Sequence, residues 1–143
     1  MVRIFPTKAT GRIIVIRLEP GEDILKSIER AVEEQSIASG HFTLIGAVSR
    51  VHLGYFHREA HEYRDFTLEE DLEIVACVGN ISQHENKHIV HAHVVASDEN
   101  GRCHGGHLME GCIVSVTIEI VITELPLMTR AHDESTGLNL LDL

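Results

Sequence analysis

Between Arg12 and Leu18 the chain reads RIIVIRL, a β-branched run that predicts a strand. Pro20-Gly21 breaks it. Beyond the break the apolar period changes, with Ile24, Leu25, Ile28, Ala31 and Val32 on one face and Lys26, Glu29, Arg30, Glu33 and Glu34 on the other. The i, i+4, i+7, i+8 spacing predicts one amphipathic helix from Ile24 to about Gln35, capped by Glu22 or Asp23 and stopped at Gly40.

From there the period is two. Phe42 to Phe56 predicts a long strand, kinked or bulged near Gly46 and Gly54. The polar stretch from His57 to Glu70 predicts a hairpin-like excursion with a short strand at Glu62 to Thr67. Leu72 to Val78 is a strand ended by Gly79-Asn80, and Ile89 to Ser97 and Cys112 to Leu125 are strands as well. Asp98-Glu99-Asn100-Gly101 predicts a tight turn, because Asn-Gly supplies the positive φ angles that hairpins need. Pro126 closes the last long strand, and the tail to Leu143 is expected to pack on the body or on a neighbour. One main helix with about six or seven mostly antiparallel strands is an α+β arrangement. Residues 1–143 are expected to form one domain.

The composition, 43% hydrophobic and 24% charged, is that of a folded globular chain. A net charge of -10, with 12 basic residues never forming a run, argues against a broad nucleic-acid surface. Three cysteines without CxxC spacing make a disulfide framework unexpected and favour a reducing, cytoplasmic setting. The opening residues MVRIFPTK lack the apolar run of a signal peptide. The richest apolar stretch, Cys112 to Leu125, is interrupted by Glu119 and Glu124, so no membrane span is expected.

Eleven histidines are far more than a chain of this length ordinarily carries. His91-Ala92-His93 lies within a strand, and Cys103-His104-Gly105-Gly106-His107 lies just beyond the turn. In a strand, side chains at i and i+2 leave the same face about 6.5–7 Å apart, so two imidazoles can converge on one ion. Register decides the third ligand. A two-residue turn centred on Asn100-Gly101 would set His107 opposite Val94, on the wrong face, whereas a one-residue bulge at Gly105-Gly106 would set it opposite His93. His104 is the alternative third ligand and Cys103 a weaker one. Three neutral imidazoles suit Zn²⁺ with a fourth position for water, a carboxylate or a substrate; nickel, iron and copper accept the same ligands. The competing reading is a set of histidines hydrogen-bonded at a turn or subunit interface. His88, three residues before His91, is the best further candidate, and Glu110 is a conceivable general base. Cys77 and Cys112 sit in apolar strands and read as inert core residues.

These segments together resemble a known family, the PPC (plant and prokaryote conserved) domain. Pro20-Gly21-Glu22-Asp23, Leu44-Ile45-Gly46-Ala47-Val48, Leu72-Glu73-Ile74-Val75, Gly79-Asn80-Ile81, His91-Ala92-His93, Gly105-Gly106-His107-Leu108 and Thr117-Ile118-Glu119 carry the resemblance, which spans roughly Arg12 to Leu125. It implies an antiparallel β domain with one main helix, self-association as a homotrimer, and a metal site at His91, His93 and His107. Free-standing prokaryotic members are often labelled predicted DNA-binding proteins by analogy with plant members that follow an Arg-Gly-Arg-Pro hook. No such motif occurs here.

Two function classes follow. One is a homotrimeric, metal-containing module that binds a protein partner or a small ligand. The other is a zinc enzyme acting on a small carbonyl or carboxylate substrate, by analogy with acetolactate decarboxylase, which also holds zinc with an HxH pair and a third histidine. DNA-linked regulation is disfavoured by the charge.

Overall fold

The computed structural model describes residues 11–143; the segment 1–10, on which the expectation of a missing leader falls, lies outside the described residues. Among the described residues one helix and nine strands follow in the order β1 (Ile13–Leu18), α1 (Ile24–Glu34), β2 (Gly40–His57), β3 (Glu62–Leu68), β4 (Leu72–His84), β5 (Lys87–Ser97), β6 (Cys103–Leu108), β7 (Ile113–Glu124), β8 (Thr129–Asp133) and β9 (Leu138–Asp142). This is the expected α+β class, with more strands than the six or seven predicted.

Helix α1 starts where Asp23, rather than Glu22, accepts a hydrogen bond from the Lys26 amide at 3.1 Å. It stops well before Gly40. Ser36 takes a left-handed φ of 53°, and the Ile37 and Ser36 amides donate back to the Val32 and Glu33 carbonyls, a Schellman ending made without glycine. Ile24, Ile28 and Val32 are fully buried against the sheet.

The strands form one sheet in the order β1-β7-β2-β6-β5-β4-β8-β9, with β3 on β2 and a further β2–β4 pairing. The 18-residue β2 links these parts. Its first half lies between β7 and β4, and its second half pairs with β3 and β6. The predicted kink at Gly46 is where the register slips against both β4 and β7. Gly46 has φ +146°, and a Cβ there would meet the Thr117 carbonyl oxygen at 2.0 Å, so only glycine fits.

One face of the sheet is the core. Along β5, Ala92, Val94 and Ala96 are buried beside Phe42, Leu44, Cys77 and Ile81, while His91, His93 and Val95 leave on the opposite face. Strand β4 does not end at Gly79-Asn80 as predicted but runs to His84. Gly79 is a packing position: a Cβ would lie 2.4 Å from Phe42 Cζ and 2.6 Å from the His91 carbonyl oxygen. The break comes at Glu85 and Asn86, whose φ values of 49° and 60° make the two-residue turn into β5. The tail packs on the body as a hairpin, β8–β9, joined to β4 in parallel at Gln83 and Thr129. No helix among the described residues is long and apolar enough to cross a membrane.

Candidate metal centre

The turn between β5 and β6 sets the register of the site. The Asp98 amide donates to the Arg102 carbonyl and the Gly101 amide donates back to the Asp98 carbonyl, leaving three residues in the loop. Gly101 takes φ +77°, and one Asp98 carboxylate oxygen accepts from the Asn100 and Arg102 amides at 2.9 Å each. The odd loop length replaces the two-residue turn and removes the need for a bulge. Pairing is unbroken from Ser97–Cys103 to His93–His107, so the expected bulge at Gly105-Gly106 is absent. Gly106 serves close packing instead, since a Cβ there would lie 2.7 Å from the Gly54 carbonyl oxygen.

His91, His93 and His107 thus leave the same face, and one ring nitrogen from each lies within 4.8 Å of the others. The Nε2 atoms of His91 and His93 are 3.3 Å apart. A tetrahedral ion with Zn–N bonds of about 2.0–2.1 Å separates its ligand nitrogens by about 3.3 Å, so this pair already has the spacing of adjacent ligands. Nδ1 of His107 is buried with no hydrogen-bond partner, an orphan that an ion or ligand would satisfy. Burial, helped by His107, Arg130 and His93, pushes His91 down to about 4, and burial beside His93 also lowers His107. Both rings are therefore neutral near pH 7, with a lone pair available to a metal.

Other sequence candidates fall elsewhere. His104 is directly opposite Ala96 and so leaves the core face, away from His93. His88 has the same parity, opposite Gln83. Cys103 pairs with Ser97 at the far end of the hairpin, with its thiol near the Gly101 carbonyl. Glu110 forms an ion pair with Lys26 of α1 and lines neither of the clefts that hold the imidazoles. Cys77 and Cys112 are buried, and burial pushes the Cys77 thiol up to about 12.

Four neighbours were not evident from spacing. Gly54 is directly opposite His107, where its missing side chain makes room for the Met109 thioether and the Tyr63 ring, the latter 4.9 Å from His107 by centroids. Asn80, opposite His91 on β4, accepts at 2.9 Å from Arg130 of the tail. Tyr63, His91, His107 and Arg130 line one cleft of about 200 Å³. The β3 excursion and the tail carry no period that places them beside the hairpin, so only the pairing in space reveals Tyr63 and Arg130.

A metal-containing protein from Archaeoglobus fulgidus superposes with a TM-score of 0.89 at 33% identity, covering 99% of this chain and all of that one. A plant- and prokaryote-conserved (PPC) protein from Pyrococcus horikoshii gives 0.89 at 29% identity, covering 99% and 98%. Acetolactate decarboxylase from Bacillus subtilis subspecies spizizenii shares the fold alone, at 11% identity and a TM-score of 0.55 over 91% of this chain and 61% of that one. The bifunctional protein GlmU of Synechococcus sp. (strain JA-3-3Ab) is 34% identical over 129 residues, 88% of this chain but 20% of that protein. The chain spans about a fifth of the length of the curated relatives it matches. Residues 6–126 match the Plants and Prokaryotes Conserved (PCC) domain, and with that match the chain belongs to the PCC family that its motifs resemble.

Proposed function

We propose that this chain is a metal-dependent binding module, holding one transition-metal ion through His91, His93 and His107 and acting as a homotrimer. The observation that carries the reading is the convergence of three ring nitrogens within 4.8 Å on one face of a rigid hairpin. Zn²⁺ is the first choice, because three neutral imidazoles match its tetrahedral preference. Such an ion would supply an open fourth position and Lewis acidity. The metal-containing relative from Archaeoglobus fulgidus supports the assignment.

Binding is favoured over catalysis because among the described residues no Asp or Glu lines either cleft beside the triad, on the His93 side or the Arg130 side. Self-association is supported by the face that carries the histidines. Pairing aligns Val15, Val121, Thr43, Val78 and His93 in one row across five strands, and Val15, Val78 and Val121 are 74%, 52% and 42% exposed. An apolar row of that extent is what a neighbouring copy would cover. DNA is not the proposed partner, given the charge of -10.

The test is elemental analysis of purified protein against His93→Ala. About one transition-metal ion per chain is expected in the natural protein, with a large loss in the variant. Equal metal in both would remove the reading. Light scattering after size exclusion tests the trimer, and a titration with duplex DNA at physiological salt tests the exclusion of nucleic acid.

A further inference from the structure

The C-terminal hairpin lies beyond the matched family region yet delivers a cation to the histidine cluster. Arg130, on β8, is half-buried, and its guanidinium is held by three neutral acceptors. Nε donates to Ser82 Oγ at 2.7 Å, one terminal nitrogen to the Asn139 carbonyl at 2.8 Å, and the other to Asn80 Oδ1 at 2.9 Å. Ser82 is itself fully buried. These bonds fix the guanidinium without neutralising it.

Among the described residues no carboxylate forms an ion pair with Arg130. Residues 1–10 contain no Asp or Glu that could supply one. A half-buried, positioned guanidinium without a counter-ion from the chain is a favourable seat for an anion from outside it. Each terminal nitrogen retains one N–H for a further acceptor such as a carboxylate oxygen.

We propose that the cleft between the triad and the β8–β9 hairpin binds a small organic carboxylate anchored by Arg130. Its roughly 200 Å³ suits a ligand of a few carbon atoms. Ile89, Val90, Leu138 and Leu140 form apolar walls for a short tail, and His91 and His107 form the opposite side. Phosphate fits less well, because among the described residues the cleft has a single guanidinium and neither a lysine nor a helix N-terminus to share a dianion's charge. The proposal deepens the metal-binding reading by naming the ligand class of the same site. It depends on that reading only for a second positive centre at the triad, since Arg130 is charged with or without a metal.

The test is calorimetric titration of the full chain with butyrate, its neutral counterpart butyramide, and inorganic phosphate, both after dialysis against a chelator and after zinc loading. Butyrate is expected to bind with a dissociation constant on the order of 1 mM, and butyramide and phosphate at least about tenfold more weakly. Arg130→Gln is expected to lose at least about tenfold in butyrate affinity while keeping its metal content. Because Arg130 also holds Ser82 and Asn80, a second variant guards against misfolding. Leu140→Glu adds a negative charge at an exposed position lining the cleft, and is expected to leave the melting temperature unchanged while repelling a carboxylate ligand and suppressing butyrate binding. Equal binding of butyrate and butyramide, or full butyrate affinity in either folded variant, overturns the proposal, and phosphate binding more tightly than butyrate overturns the ligand class. A protein that takes up no zinc but binds butyrate through Arg130 would sink the metal reading and leave this one standing.

Discussion

His93 on β5 is directly opposite His107 on β6, with ring centroids 5.8 Å apart, and the pairing is continuous from the turn to that point. The three-residue loop Glu99-Asn100-Gly101 decides the parity, and with it which histidine joins His91 and His93. His107→Ala is therefore expected to weaken metal binding by more than the roughly 10–100-fold lost with an outer hydrogen-bonding partner. His104→Ala, on the core face, is expected to keep it. Metal content after equilibrium dialysis against a competing chelator separates the two. Retention by His107→Ala together with loss by His104→Ala would reverse the assignment.

The helical period made α1 legible, whereas β1, β2, β5 and β7 were legible as β-branched and apolar runs even where both faces are apolar, as at Ile13 and Val15, 70% and 74% exposed. The two-residue strand repeat placed the HxH pair on one face. Register was less accessible: Asn100-Gly101 signals a turn, but the Asp98 carboxylate, by accepting from the Asn100 and Arg102 amides, lengthens the loop by one residue. Gly79 reads as a strand terminator, yet its lack of a side chain is required by Phe42 in the adjacent strand. Arg130 and Tyr63 reach the cluster through pairings distant in sequence, which local patterns do not encode.

Gly46 tests the bend in β2. At φ +146° and with the Thr117 carbonyl oxygen 2.0 Å from the place of a Cβ, alanine cannot be accommodated without moving backbone. Gly46→Ala is expected to cost at least about 1–3 kcal/mol, read from the shift in urea midpoint. A variant as stable as the natural protein would show that the bulge relaxes freely.

The cysteines differ sharply in reactivity. Cys103 is exposed, whereas Cys77 and Cys112 are buried and burial raises both thiols, that of Cys77 to about 12. A thiol reagent at neutral pH is expected to label about one cysteine per native chain, all three reacting only in denaturant. Cys103→Ser should abolish the native labelling. Rapid labelling of a second thiol in the native state would contradict the burial.

His52 ties the β3 excursion to the loop before β7, and its charge gives that tie a pH dependence. Nδ1 faces the Glu110 carbonyl at 2.6 Å and Nε2 faces the Asp65 carboxylate at 2.5 Å. Both partners are acceptors, so both ring nitrogens carry protons when both contacts are hydrogen bonds. Asp65 first and the Glu110 carbonyl second hold the imidazolium above its ordinary range. A group raised on folding contributes stability that is complete below its unfolded value of about 6.5 and is lost as pH rises through the higher folded value. Partial exposure of both side chains screens the effect and keeps it modest. Urea midpoints of the natural protein and Asp65→Asn, compared from about pH 6 to 9, should therefore converge as pH rises, with the natural protein ahead at the acid end. A gap that is constant across that range would mean that His52 is neutral in the fold, and that Asp65 acts only as a hydrogen-bond acceptor.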